Sequence, residues 1–412
     1  TDAAAGDALG TAVGLSGDLV AAGAPGADLA GKTDAGAAYV FVRVGVAWSQ
    51  QQKLVASDGS ADDQFGLTLS LSGYTVAVGA PNAAPLARVG LGAAYLYFRS
   101  AGTWSEQAKI FASDGAPGDH YGSAVAISSD SVIVGVPAFN VGSMADAGAF
   151  YTARRSGTTW TTEPRKAAPD NGNSYYFGKS VALTSDTAIV GAPYARAAYV
   201  FVRSGAAWVE QAKIASPDTA GDSFGNTVAL SGDTALIGAP YAKVGMIDYA
   251  GAVYVFTRSG TSWQQQARLT ASDPKGSTYF ANGLSLSGDT ALVGASAADT
   301  AGKSGSGAAY VFVRSGTTWS EQKKLAASDA LTGGRFGEAA ALVGDTADGY
   351  PGISGFGKKT AAHCWRTARS GNTRRPCVCI ARLQKWCTCP MKCPTGFIYF
   401  SCKRRLLTWM RL

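Results

Sequence analysis

Short runs alternating between apolar and small or polar residues recur along this chain, and a helical period of 3.6 residues is absent. The stretch from Val228 is typical. Val228-Ala229-Leu230 is followed by Ser231-Gly232-Asp233, a tight-turn signal. Thr234-Ala235-Leu236-Ile237 then runs into Gly238-Ala239-Pro240, and proline cannot donate to a ladder, so the second strand stops there. Ala252-Val253-Tyr254-Val255-Phe256 places Tyr254 and Phe256 on one face and the valines on the other. Ser259-Gly260-Thr261 turns the chain again, and Trp263 opens a fourth strand that ends near Leu269. The pattern predicts four short antiparallel strands per unit.

The unit repeats. A Phe-Gly or near match starts at Leu9, Phe65, Tyr121, Phe177, Phe224, Phe280 and Phe336, mostly 56 residues apart. Fourteen residues after each of the first six starts comes Gly-Ala-Pro or a variant, beginning at Gly23, Gly79, Gly135, Gly191, Gly238 and Gly294. An aromatic strand follows, then a tryptophan after a turn: Trp48, Trp104, Trp160, Trp208, Trp263 and Trp319. Four markers in fixed order describe a stack of supersecondary units. A lone four-stranded sheet leaves both apolar faces bare, and stacking such sheets in a ring covers them and leaves only short edges. The expected fold is an all-β β-propeller of four-stranded antiparallel blades, with seven blades of which the last is irregular, or alternatively a closed ring of six.

These markers resemble the FG-GAP repeat family, best known from the α-subunit heads of integrins. The matching residues are the Phe-Gly starts such as Phe65-Gly66 and Phe224-Gly225, and Gly-Ala-Pro at 23–25, 79–81, 191–193 and 238–240. The resemblance covers about residues 1–345. It implies a seven-bladed propeller, an extracellular setting and a role in adhesion or ligand binding. The family's calcium-binding members carry an Asp-x-Asp-x-Asp-Gly loop between the two markers. Here that stretch is a minimal turn, as at Ser16-Gly17-Asp18 or Ser287-Gly288-Asp289. Calcium takes six to eight oxygen ligands, and one carboxylate makes no cage. No metal and no cofactor are expected. The weak candidates are the acid pairs ahead of the Phe-Gly starts, Asp58 with Asp63 and Asp114 with Asp119, which read first as turn formers.

The segment between Gly-Ala-Pro and the aromatic strand varies most and collapses to Tyr194-Ala195-Arg196 in the fourth repeat. Variable loops on a rigid scaffold are the usual place for binding. The candidate ligand-binding residues are Asp28, Lys32, Asp34, Arg88, Arg196, Lys243, Asp248, Asp299 and Lys303. The partner would be a protein or glycan of unassigned identity, with no membrane insertion. An alternative is a structural repeat protein without a specific ligand.

Charge and chemistry change this picture in two ways. Residues 1–347 hold 23 Lys/Arg against 28 Asp/Glu, a net −5, while 348–412 hold 13 against one, a net +12. The basic character belongs to the last segment, so no nucleic-acid partner is expected for the propeller. The body has one histidine, His120, and no cysteine, and it lacks the nucleophile-elbow, P-loop, zinc-protease and dinucleotide motifs. The expectation is therefore that the chain is not an enzyme, with a glycoside or phosphoester hydrolase as a remote alternative. All seven cysteines lie in 348–412, where the repeat stops after Ala347. That tail reads as a non-native reading frame, a disulfide-bonded appendix or a metal or nucleic-acid module. The first residues, Thr1-Asp2-Ala3, carry neither a starting Met nor a signal-peptide pattern, as expected for a processed or clipped end.

Thermal unfolding in millimolar calcium, then in chelator, tests the reading of the acid pairs. The expected outcome is an unchanged midpoint. A rise of about 2–4 °C would assign a cation to the Asp58/Asp63 type of pair.

Overall fold

The computed structural model describes residues 2, 4, 6–205, 207–218 and 221–342, and the backbone of Thr360–Trp365 and Cys377–Leu383. Six four-stranded sheets follow one another along the chain, each an antiparallel meander in the order first, second, third, fourth strand. Blade 1 is Val13–Ser16, Leu19–Ala24, Ala37–Val44 and Ala47–Leu54. Blades 2 to 6 span 68–110, 124–162, 180–215, 227–269 and 280–325. Among the described residues the only helical element is a 3-10 turn at Pro85–Ala87, and no helix is long and apolar enough to cross a membrane.

The blade count corrects the first expectation: among the described residues there are six four-stranded blades, the alternative, and not seven. After blade 6, Phe336–Leu342 lies against the first strands of blades 6 and 1. It belongs to a three-stranded sheet, pairing in parallel with Cys377–Leu383, which in turn pairs antiparallel with Thr360–Trp365. That is not the blade pattern. The reason is in the chain: past Ala347 there is no Gly-Ala-Pro second strand and no aromatic third strand to build one. The proposed roles of the cysteine-rich tail lie outside the described residues.

Each blade packs on the next through the two markers. The second strands are buried along their whole length, as in Leu19–Ala24 and Thr290–Ala295. Phe65 is fully buried and meets Tyr95 edge-on at 5.4 Å, and Phe177 meets Tyr199 at 5.2 Å. Burying one such ring contributes roughly 1.5–3 kcal/mol. The glycines serve the contact itself. A Cβ on Gly23 would sit 1.9 Å from the carbonyl oxygen of Gly66, and one on Gly294 would sit 1.7 Å from that of Gly337. Gly66 has φ +93°, a left-handed conformation costly to other residues. Hydroxyls from the first strands join the same carbonyl row: Thr68 Oγ1 donates to Gly122 O over 2.6 Å, and Thr227 Oγ1 to Ala281 O over 2.6 Å.

This packing predicts a sharp contrast between two substitutions. Gly23→Ala drives a methyl into backbone of the next blade and costs about 3 kcal/mol. Gly59→Ala meets only Ala56, at 3.3 Å, and changes stability by about 0.5 kcal/mol or less. Denaturant midpoints of the two variants check this.

Candidate functional site

A meander puts the second-to-third loop and the linker to the next blade at the same end of each sheet. The two are laced together by backbone hydrogen bonds. The N–H groups of Asp62, Gln64 and Phe65 donate to the carbonyls of Thr33, Asp34 and Ala35 over 2.8–3.1 Å. Ser174 and Tyr176 do the same to Ala145 and Asp146. The longer loops also close on themselves through small bridges, Leu29 with Lys32, Val141 with Met144, Val244 with Ile247 and Thr300 with Lys303. The outcome is one continuous loop face on a rigid ring.

The nine charged residues expected to bind a ligand all fall on this face, but in different blades, so they do not converge. Asp28, Lys32 and Asp34 belong to blade 1, Arg88 to blade 2, Arg196 to blade 4, Lys243 and Asp248 to blade 5, and Asp299 and Lys303 to blade 6. Several of them hold their own loops. Asp28 accepts the N–H of Asp34 at 3.0 Å, and Asp299 accepts that of Gly305 at 2.8 Å. Lys32 donates to Gly59 O over 2.5 Å, and Arg88 to Gly115 O over 2.7 Å. Lys243 and Asp248 pair with each other at 3.1 Å. Arg196 replaces the missing loop of blade 4: its guanidinium bonds Asp222 at 3.1 Å and the carbonyl of Asp218.

The acid pairs split into two jobs. Asp63 and Asp119 are buried, and each accepts a backbone N–H three residues earlier, from Ser60 at 2.7 Å and Ala116 at 2.6 Å. Burial pushes both carboxyls up, only partly offset by those N–H groups. The other member reaches across to its blade. Asp58 accepts from Tyr95 Oη at 2.8 Å and Lys109 Nζ at 2.5 Å. The same trio recurs as Asp2–Tyr39–Lys53, Asp114–Tyr151–Arg165, Asp170–Tyr199–Lys213, Asp218–Tyr254–Arg268 and Asp273–Tyr310–Lys324. At Asp58, Asp170 and Asp273 burial pushes the carboxyl up, but the lysine ammonium and the tyrosine hydroxyl outweigh it and hold the pKa below the usual range. The trio is a clamp between linker and blade. Among the described residues no three His, Cys, Asp or Glu side chains are grouped to hold a metal ion. His120 is half-buried in its linker, with Nδ1 3.2 Å from Pro81 O.

The feature that sequence reasoning missed is aromatic. Tyr194, Tyr241, Tyr249 and Tyr279 are exposed on the loop face, with Tyr194 71% accessible. Tyr241 packs edge-on to Tyr249 and to Tyr279, with centroids 5.9 and 5.8 Å away, and Met246 stands exposed in the same loop. Tyr194 contacts Tyr176 at 5.1 Å. The slot after Gly-Ala-Pro holds Gly26, Asn82, Ala138 and Ala297 in the other repeats, and Tyr194 and Tyr241 in blades 4 and 5. The slot before Phe-Gly holds Ala8, Gln64, His120, Ser223 and Arg335, against Tyr176 and Tyr279. The fold therefore needs no ring at these positions. Aligning the repeats slot by slot would have exposed the substitution.

A family model described as FG-GAP repeat matches residues 1–41, 48–97, 104–153, 160–207, 208–256 and 263–312. No curated protein matches the chain. Among solved structures, the chain is similar to a putative 6-phosphogluconolactonase from Bacteroides uniformis, at 9% identity and TM-score 0.51 over 78% of this chain and 86% of that one. It is similar to a protein from Lactobacillus plantarum, at 11% identity and TM-score 0.51 over 78% and 85%. A putative 6-phosphogluconolactonase from Bacteroides fragilis gives 10%, TM-score 0.50, and 78% and 85%. At such identities the likeness shows the fold alone. It still corrects the exclusion of an enzyme made from missing motifs: propellers of this shape include proteins titled as putative lactonases, so the scaffold does not support a firm negative.

The clamp generates a pH prediction. A carboxyl held below its unfolded pKa of about 4 stabilises the fold at neutral pH, and that contribution is lost as pH falls through the lowered folded value. Asp58→Asn should cost about 1 kcal/mol at pH 7, mostly through the bond to the buried Tyr95, since the half-exposed Lys109 pair is screened. The gap to the parent should narrow below about pH 4. Urea titrations at neutral and acid pH measure both.

Proposed function

The chain belongs to the FG-GAP repeat family, and from that premise we propose that it is an extracellular or cell-surface binding module whose loop face engages a protein or glycan ligand. An FG-GAP propeller supports a binding or structural repeat role. The observation that carries the binding reading is the set of exposed tyrosines Tyr194, Tyr241 and Tyr279, in slots that other repeats fill with glycine, alanine, asparagine, serine, glutamine, histidine or arginine, with the exposed Tyr249 beside them. Tyrosine brings a large rigid contact area with a polar tip, at low cost in side-chain freedom, and is enriched at binding surfaces. Side chains that stabilised the ring would be buried and repeated in every blade. These are exposed and confined to blades 4 and 5 and the linkers beside them. The scaffold supplies preorganisation, because the loops are tied to the linkers by backbone bonds.

Panels of immobilised glycans and extracellular proteins test this reading, with turnover of sugar lactones measured alongside. A ligand should be found whose affinity drops at least about tenfold in the Tyr241→Ser, Tyr249→Ser, Tyr279→Ser triple variant. Val44→Ser, exposed in blade 1 at the end opposite the loop face, should leave binding unchanged. Equal binding by parent and triple variant would remove the tyrosines from the site.

A further inference from the structure

Five seams join the six blades, and four are built alike at the outer strands. The fourth strands of blades 1, 2, 4 and 5 skip one residue of register, at Gln51, Gln107, Gln211 and Gln266. A bulge of this kind re-aims one side chain out of the ladder. Each glutamine turns its carbonyl to the next blade, where Nε1 of Trp104, Trp160, Trp263 or Trp319 donates to it over 2.8–3.2 Å. Gln51 also accepts from Arg99 Nε at 2.9 Å.

The seam between blades 3 and 4 lacks this acceptor. Glu163 stands in the glutamine's place and Pro164 follows it, so the strand breaks at Thr162 and resumes one residue of register further on as a single bridge, Phe150 with Lys166. The Glu163 N–H bonds Thr152 O at 2.8 Å, and its carboxylate takes the Thr152 hydroxyl and pairs with Arg203 Nη1 at 3.4 Å. Arg203 has also lost the bond to the turn aspartate that four of its five counterparts keep. Asp18, Asp130, Asp233 and Asp289 bind Arg43, Arg155, Arg258 and Arg314, whereas Asp186 accepts from the Thr187 hydroxyl at 3.0 Å. Arg203 instead lies over the Trp208 ring, 4.7 Å from its centroid, the closest of the five arginine–tryptophan stacks. Its side chain is 11% exposed, and Trp208 is 2% exposed. Arg203 Nε, Arg203 Nη2 and Trp208 Nε1 have no partner, and among the described residues the one other buried side-chain atom in that condition is Asn171 Oδ1, an acceptor in the linker.

Three buried N–H donors on two stacked side chains, two of them on a cation, demand an acceptor. We propose that this seam is a binding site for a small monovalent anion of halide size, held by Arg203 Nε and Nη2 and by Trp208 Nε1. The other seams show the size of the position: it takes one glutamine carbonyl oxygen. A single-atom anion is the charged acceptor nearest in size to that one oxygen. The charge follows from Arg203: its turn aspartate is engaged elsewhere, and Glu163 pairs with Nη1 alone, at 3.4 Å, which leaves Nε and Nη2 without an acceptor. The bound ion would tie the outer strands of blade 4 to blade 3 and make that seam respond to the anion in solution.

Crystals of the full chain grown or soaked in bromide test this directly, with thermal unfolding in bromide and in gluconate at equal ionic strength, on the order of 0.2 M. The expected result is an anomalous peak within hydrogen-bond reach of all three nitrogens and a midpoint about 2 °C higher in bromide. Trp208→Phe keeps a ring and removes one donor, so the peak and the salt difference should both fall. Glu163→Gln combined with Pro164→Ala returns the sequence of the other seams and should abolish the bromide effect. Density for water alone with equal midpoints in the two salts overturns the proposal. So does a bromide peak that survives unchanged in Trp208→Phe.

Discussion

The ring depends on one close contact, made at every seam: the carbonyl of a Phe-Gly glycine set against the bare Cα of the preceding blade's Gly-Ala-Pro glycine. With a virtual Cβ at 1.7–2.2 Å from that oxygen at Gly23, Gly79, Gly135, Gly191 and Gly294, no other residue fits without moving backbone. The contact brings the second strand of one blade and the linker of the next to van der Waals distance. That in turn buries the phenylalanine beside the glycine and sets the depth at which the tyrosine of the third strand meets it. Blade 5 varies the theme: Ala281 replaces the glycine, at φ +82°, and the virtual Cβ of Gly238 stands 3.0 Å from its carbonyl. The seam opens a little and tolerates the methyl.

Polar groups fasten what the glycines bring together. On the loop side, an aspartate of each linker is clamped by a tyrosine hydroxyl and a lysine or arginine of the blade it enters. On the opposite side, an arginine of the third strand meets an aspartate of the first turn and stacks on a tryptophan of the fourth strand. Exposed pairs of this kind contribute little each, and their value lies in holding orientation where backbone alone leaves the strand ends free. The seam between blades 3 and 4 departs from this scheme because a single proline ends a strand early. The departure leaves donors without acceptors, whereas the departures on the loop face put rings into solvent.

The same logic separates architecture from function. Residues that recur in every blade are buried or paired within the ring, and they account for the fold. Residues that break the recurrence and remain exposed, Tyr194, Tyr241, Tyr249 and Tyr279, pack on one another or on Tyr176 at the loop face. The charged loop residues look equally irregular in sequence, yet Asp28, Arg88, Arg196 and Asp299 prove to be fasteners of their own loops. Neither variability nor exposure distinguished the two kinds, since Asp28 and Asp299 are exposed as well; their hydrogen bonds to loop backbone did.

The sequence by itself determined the strand pattern, the six-fold repeat and the place where it fails, because period-two alternation, turn glycines and the chain-stopping proline act locally. It also located the loop face, since a meander of four strands leaves no choice of end. What only the tertiary structure decided was pairing at long range. Asp58 meets Tyr95 and Lys109 across 37 and 51 residues, whereas linear proximity to Asp63 had paired the two acids as turn formers. The blade count needed the pairing of Phe336–Leu342, which adds no four-stranded sheet. The glutamine-to-tryptophan bonds that span about one repeat were hidden for the same reason: a bulge aims the side chain, and neither the bulge nor its target is written in neighbouring residues.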